Sequence, residues 1–388
     1  MSERGFSRRE FMRRCSAGAA AAGISGCSRG QGQSAPRFPA DPETQNSLVS
    51  QAAVEAVLDG LAVALTRIDS APLAWEALFN FPTRRDRSTL LAAIKTNEVG
   101  SNRPRAAVVA KVCRALIACG LQAGNICVYA GNERLGEDDP YGRVLRNTVP
   151  AGVVVGRRQA LLGGFVFTDI PAATKNQTVV TSARCIEAVA KRQIDLLINI
   201  AVNKGHWDEF GGCTLTMKNH FGTFDPQPYG GSGIFSLSHG NFDYLLAINQ
   251  SEALLGGELP LQRLCIVDSI WAGSEPNPGA EGDAVPLNRM VMGTFSPVVD
   301  FVTMKCIRHE IMGCPFGRPL EAGLWQLGFS RATTAALACI DVDADQPQRA
   351  AGLDDLTSER SHRVHAGISD LRVARCHDQR MVLFDKPG

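Results

Sequence analysis

The chain has 388 residues, 45% of them hydrophobic and 6% aromatic, and a formal net charge of +1. That length fits one large domain or two modest ones with a sizeable core, and disorder is expected only at the two ends. The near-neutral balance, with no basic stretch interleaved with aromatics, excludes a dedicated nucleic-acid surface.

Residues 1–27 open with Ser7-Arg8-Arg9-Glu10-Phe11-Met12, followed by a small-residue, apolar stretch from Ala17 to Ile24. This order resembles a twin-arginine translocation signal, and the apolar piece is too short to span a bilayer. The expected partner is the twin-arginine translocase. The expected location is the periplasm or the outer side of the membrane. Ile24-Ser25-Gly26-Cys27 resembles a lipobox with Cys27 as the lipidated residue, although Ile stands where Leu is usual. Ordinary cleavage among the nearby alanines is the alternative, and a lipid on Cys27 is the only membrane attachment expected. Residues 28–46, rich in Gly, Ser, Gln and Pro, read as a flexible linker.

Residues 47–340 read as an α/β domain, and 341–388 as a polar C-terminal extension. Apolar residues at Val54, Val57, Leu58, Leu61 and Leu65 predict a helix over Ser50–Ile68, with a second over Pro72–Phe79. Thr89–Ile94 is the first predicted strand, delivering Lys95 and Asn97 at its end. A helix is predicted from Pro104 to Gly120, then a strand over Asn125–Ala130. This β-α-β order predicts a parallel pair with a right-handed crossover. In the loop Gly131–Gly142, Glu133, Asp138 and Asp139 could bind a hard cation. A solvated turn is favoured, because the spacing matches no calcium loop. No phosphate-cradling glycine motif occurs.

A helix is predicted over Ala183–Arg192, and the apolar run Ile194–Val202 is long enough for one strand buried on both faces. Polar residues follow it: Asn203, Lys204, Gly205 and His206, then Lys218, Asn219 and His220. At the carboxyl end of a strand in an open α/β sheet they would line the ligand crevice. Downstream come a helix over Leu237–Leu255 with His239 near its start, and a strand over Leu264–Val267 ending at Asp268. A Gly/Pro loop over Asn277–Gly282 and a strand over Arg289–Phe295 follow. Pro297 then opens a helix through about Ile311. The predicted fold is a mainly parallel sheet flanked by helices, in one body or in two lobes with a cleft between them.

Lys204-Gly205-His206 and Lys218-Asn219-His220-Phe221-Gly222 resemble the K-x-H and K-N-x-x-G segments of the domain of unknown function 362 family. Lys95-Thr96-Asn97, the strand Leu264–Asp268 and Ser296-Pro297-Val298-Val299-Asp300 fit the same pattern, over roughly residues 88–340. The resemblance implies a fold more firmly than a function, since the family's activity is generally unassigned. Some relatives carry iron–sulfur segments, but this chain has no ferredoxin-type spacing and no C-x-x-C pair among its 12 cysteines. Cys113, Cys119, Cys127, Cys185, Cys265 and Cys339 sit in apolar surroundings, as small hydrophobes do. Cys306 and Cys314, flanking His309, are a weak metal or redox candidate.

Three lysines converging at strand ends would favour a carboxylate, phosphate or sulfonate. Lys95 would bind that anion, with Asn97, Asn199 and Asn219 orienting it through their amides. His206, Lys204, Lys218 and Asp268 are the candidate catalytic residues, His206 moving a proton near neutrality. His206, His239 and Asp268 could instead hold a divalent metal, the one cofactor these residues suggest. Asp300, at a helix start, could simply cap that helix. These residues suit isomerase- or lyase-like proton transfer, or metal-assisted chemistry, on a small anion. No nucleophile elbow or triad points to a hydrolase. An anion-binding lipoprotein without catalysis and a redox accessory protein are the rival expectations.

Overall fold

Three helices open the described chain, and their starts follow from local hydrogen bonding. Helix α1 (Pro42–Ser47) begins after Asp41, whose carboxylate accepts from the Thr44 amide at 2.7 Å. Helix α2 (Gln51–Thr66) begins after Ser50, whose hydroxyl accepts from Ala53 N, and buries Val54, Leu58, Leu61 and Leu65 along one face. Helix α3 (Ala71–Phe79) has Pro72 in its first turn and stops at Asn80, which takes a left-handed φ of 46°. The structure, a computed structural model, describes residues 38–312 except 84, 132–134, 136–137, 157–165, 172–181, 207–212, 226–247, 250, 252, 255–259, 274–283, 297–298, 301–302 and 310. The predicted export signal, Cys27, Glu133, His239, the Asn277–Gly282 loop, Cys314 and the C-terminal extension lie outside the described residues.

The first half of the sheet alternates strand and helix: β1 (Ala92–Thr96), α4 (Ala106–Ala118), β2 (Ile126–Tyr129), α5 (Pro140–Thr148) and β3 (Val154–Val155). A separate antiparallel pair follows, β4 (Phe167–Pro171) with β5 (Ser182–Ile186), and then the short helix α6 (Glu187–Ala190). The chain returns to the sheet as β6 (Leu196–Val202). It then makes a small antiparallel pair, β7 (Lys204–Gly205) with β8 (Cys213–Thr214), and a 3-10 turn over Lys218–His220. Strands β9 (Gln262–Ala272) and β10 (Val285–Gly293) complete the set. The six-stranded sheet has the order β10-β9-β6-β1-β2-β3; all its pairings are parallel except that of β10 with β9. The α/β class expected from the sequence is the class observed.

Several boundaries differ, each because tertiary contacts outvote local pattern. Residues Arg87–Thr89 form a 3-10 turn, so Lys95 lies inside β1 rather than after it. Helix α4 starts at Ala106, because Arg105 and not Pro104 precedes its first turn. The helix expected over Ala183–Arg192 is only α6, since the residues before it pair with β4. Strand β9 extends to Ala272 because its polar half pairs with β10, which spans Val285–Gly293 rather than Arg289–Phe295. Past Pro297, Thr303–His309 is a π-helical stretch. Asp139 caps α5, accepting from Gly142 N at 2.6 Å, and lies 3.6 Å from the Arg103 guanidinium, so it belongs to a helix start.

Strand alternation divides the core in two. Ile94, Val128, Ile198 and Ile266 pack with α2, α3 and α4. Ala93, Tyr129, Leu197 and Cys265 point to the opposite face, where Leu215 and Met217 cover them. The chain runs outward from β1 to β2 and β3, then comes back to place β6 on β1's other side. The β1–β6 boundary is therefore the topological switch point, where open α/β sheets bind ligands at the carboxyl ends.

One close approach fixes the K-N-x-x-G segment against this sheet. Gly222 has φ +101°, and a Cβ there would lie 2.0 Å from the Gly131 Cα, beyond the end of β2. Only glycine meets both demands. Gly222→Ala should lower stability by about 1–2 kcal/mol from the left-handed conformation alone, with the clash against Gly131 in addition. The check is a urea unfolding midpoint; an unchanged midpoint would refute the close backbone crossing.

Candidate functional site

Lys95 is paired across the sheet with Tyr129 of β2 and Asn199 of β6. It shares the face of Ala93 and Tyr129, and its Nζ lies 5.9 Å from the Tyr129 ring centroid. That Nζ donates to Thr96 O at 2.7 Å and to Asn219 Oδ1 at 3.4 Å. Lys204 follows β6 after one residue, and its ammonium donates to the Val99 carbonyl. Lys218 opens the 3-10 turn, with Nζ 5.6 Å from the Phe221 ring centroid. All three lysines are buried, none more than 4% exposed.

The charge of Lys204 bears on both other lysines. Burial pushes Lys95 down to about 7; Glu98 opposes that shift and the charge of Lys204 adds to it. Burial likewise pushes Lys218 down to about 7, opposed by Cys213 and again reinforced by Lys204. Lys204 is thus the shared neighbour of both other lysines. Glu98 is itself buried. Neither Glu98 nor Cys213 was singled out in the sequence. Glu98 lies in a loop with no periodicity, and Cys213, in Gly211-Gly212-Cys213-Thr214, belongs to no motif.

The asparagines have a different task from the one expected. Asn219 Nδ2 donates to Asn199 Oδ1 at 2.8 Å, Ile200 O at 3.2 Å and Lys95 O at 3.4 Å. Asn199 Nδ2 donates to Thr216 O at 2.8 Å and Gln262 Oε1 at 3.0 Å, which uses both of its hydrogens. These amides fasten the Lys218–His220 turn onto β1 and β6 and leave little to offer a ligand. Gln262, not anticipated, also accepts from His220 Nε2 at 2.6 Å and donates to Ser296 Oγ at 3.2 Å. Burial pushes His220 down to about 3, so its imidazole is neutral. Asn97 differs: it is buried, and its Oδ1 has no hydrogen-bond partner among the described residues. His206 is buried directly after β7, two positions beyond Lys204.

Both aspartates serve the frame. Asp300 accepts from Thr216 N at 2.7 Å, from the Thr216 hydroxyl and from Met217 N at 2.8 Å, which holds the segment leading into Lys218. Its expected use as a cap for its own helix gives way to this long-range contact. Burial pushes it up to about 7, against the pull of those donors. Asp268 lies between Ile266 and Ile270 in the alternation of β9, on the sheet face opposite Lys95. Its carboxylate accepts from Arg105 N at 2.6 Å and Ile270 N at 2.9 Å, and lies 3.6 Å from the Arg105 Nε. The expectation that Asp268 orients His206 or joins a metal with it is corrected by these contacts. Among the described residues no group of three or more His, Cys, Asp or Glu could hold a metal ion. Burial pushes the thiols of Cys113 and Cys127 up to about 12, in keeping with packing roles.

No family model, no curated protein and no solved structure matches the chain. The likeness to the domain of unknown function 362 family therefore rests on the motifs quoted above.

The lysines carry a pH signature. Unfolded, they titrate near the ordinary 10.5; folded, Lys95 and Lys218 titrate near 7. Between these values the unfolded chain binds more protons, so stability should rise with pH across that window and be lost as pH falls through about 7. Each lysine contributes up to ~1.4 kcal/mol per pH unit there. The double variant Lys95→Met, Lys218→Met should flatten the slope, read from denaturant midpoints at several pH values. An equally steep slope in the double variant would refute the shift.

Proposed function

We propose that the protein is an enzyme that holds a small carboxylate, phosphate or sulfonate against Lys95, Lys204 and Lys218 and moves a proton on it. The supporting observation is the shared position of Lys204, whose charge bears on both other lysines. Three buried ammonium groups, with Glu98 the carboxylate that acts on Lys95, repel one another and have lost their water. An anion offsets both costs at once. The place is the carboxyl end of β1 and β6, where this sheet class takes its ligands. The bare Asn97 Oδ1 gives a bound ligand's hydroxyl or N–H an acceptor. Amines titrating near neutrality, with His206 beside them in the chain, suit general acid–base work. The family resemblance belongs to the same reading, because its motifs supply Lys95, Lys204, Lys218 and His206. So does export, since Arg8-Arg9 precedes an apolar stretch suited to translocation.

Binding of sulfate and of phosphate, followed by titration calorimetry, tests the site. Each of Lys95→Met, Lys204→Met and Lys218→Met should weaken affinity roughly ten- to hundredfold, the worth of one charge-assisted hydrogen bond. Only protonated lysines attract the anion, so affinity should fall as pH rises through about 7, with proton uptake on binding. Binding insensitive to all three changes would refute the shared site. For export, changing Arg8 and Arg9 together to Lys should leave the precursor in the cytoplasm; undiminished export would refute the signal.

A further inference from the structure

The hydrogen bonds of Lys95 distinguish it from an ordinary anion-holding lysine. A neutral amine has two hydrogens and one lone pair, whereas an ammonium has three hydrogens and none. Lys95 Nζ meets two acceptors, Thr96 O at 2.7 Å and Asn219 Oδ1 at 3.4 Å. These match the two hydrogens of the neutral form and leave the lone pair available. Asn219 is itself held by β1 and β6, so this arrangement is preset by the fold. The charges of two further buried residues, Lys204 and Glu98, act on this amine. Desolvation and a neighbouring cation are the two devices that turn a lysine into a nucleophile at neutral pH.

From this cluster we infer that Lys95 forms a Schiff base with a small 2-oxo acid, whose carboxylate is held by Lys204 while Glu98 carries the proton that releases water. This rests on the anion-site reading above and gives it a substrate class. The Lys95 nitrogen adds to C2 of the oxo acid, and one amine hydrogen moves to the former carbonyl oxygen, giving a carbinolamine. Glu98, which as a carboxylate takes up the proton that Lys95 gives off in becoming the neutral amine, then passes it to that oxygen. The C2–O bond breaks, water leaves, and an iminium remains, balanced by the Glu98 carboxylate. The iminium draws electrons from the neighbouring carbon, and proton transfer there is the isomerase- or lyase-like chemistry proposed for the site. The lowered titration of Lys95 fits this role, because the amine must be unprotonated to attack.

The test is reductive trapping with pyruvate and sodium borohydride, read by intact mass and peptide mapping, alongside sulfate binding to the same protein. The expected result is one reduced pyruvate adduct on Lys95. Lys95→Met should give none while unfolding at no lower denaturant concentration than the parent at pH 7, because it replaces a buried amine with an apolar chain. Glu98→Gln should slow trapping roughly a hundredfold, the typical worth of a positioned acid. Lys204→Met should raise the pyruvate concentration needed for half-maximal trapping. The trapping rate should fall as pH drops below 7. An adduct on Lys218 or on surface lysines, or no adduct in a protein that binds sulfate, overturns the Schiff base and leaves the anion site standing. Failure to bind sulfate and failure to trap pyruvate together overturn both.

Discussion

The side-chain amide of Asn219 joins the pieces of the site. Its Nδ2 reaches carbonyls at the ends of two neighbouring parallel strands, Lys95 O on β1 and Ile200 O on β6, and also Asn199 Oδ1. Its Oδ1 accepts from the Lys95 amine. One buried residue thus sets the height of the Lys218–His220 turn over the sheet and the direction of a lysine beneath it. Around it, Asp300 holds Thr216 and Met217, and Gln262 holds His220. Buried polar groups without partners cost ~1–3 kcal/mol each, so such a network folds in one arrangement or not at all.

The two sheet faces divide the work between their carboxylates. On the helical face, Asp268 meets the first amide and the guanidinium of Arg105, directly before α4. A carboxylate at a helix start satisfies open N–H groups and opposes the helix dipole favourably. The pair is fully buried, and it links β9 to the helix between β1 and β2. On the other face, Asp300 does similar service for the segment that carries Lys218. With both aspartates committed to the frame, Glu98 is the carboxylate whose charge reaches Lys95.

This division explains what could be read from the sequence. Strands β1, β2 and β6 were legible because burial on both faces writes an uninterrupted apolar run, and Lys95, Lys204 and Lys218 were legible because they interrupt or follow such runs. The α/β class followed from the same alternation of runs and helical periods. Asn199 and Asn219 read from the sequence as ligand amides, whereas their amide groups bond the frame, since a ligand amide and a framework amide have the same composition. Asp268 was misread for a related reason. It sits in a strand that continues through Ser269 to Ala272, and its partner Arg105 is far away in the chain. Glu98 and Gln262 carry no local signal, because their importance comes from what long-range folding brings beside them. The first part of Ala183–Arg192 has no helix-breaking residue, and only pairing with β4 makes it a strand.

The lysine cluster then follows from where the frame leaves unbalanced charge. A sheet end closed by a satisfied amide network needs no ammonium groups for its own stability, and burying them costs hydration. Here three are buried together, and burial, reinforced by the charge of Lys204, drives both Lys95 and Lys218 toward the neutral amine. In the absence of ligand, the cluster relieves its strain by releasing protons. On the proposed reading, an arriving anion would draw protons back, so that the same amines would hold an anion when protonated and act as bases or nucleophiles when not. The frame meets this exchange at one atom, Asn219 Oδ1, which accepts from the Lys95 amine, while Asp300, Gln262 and Asp268 hold the turn, the strands and helix α4 through bonds that involve no lysine.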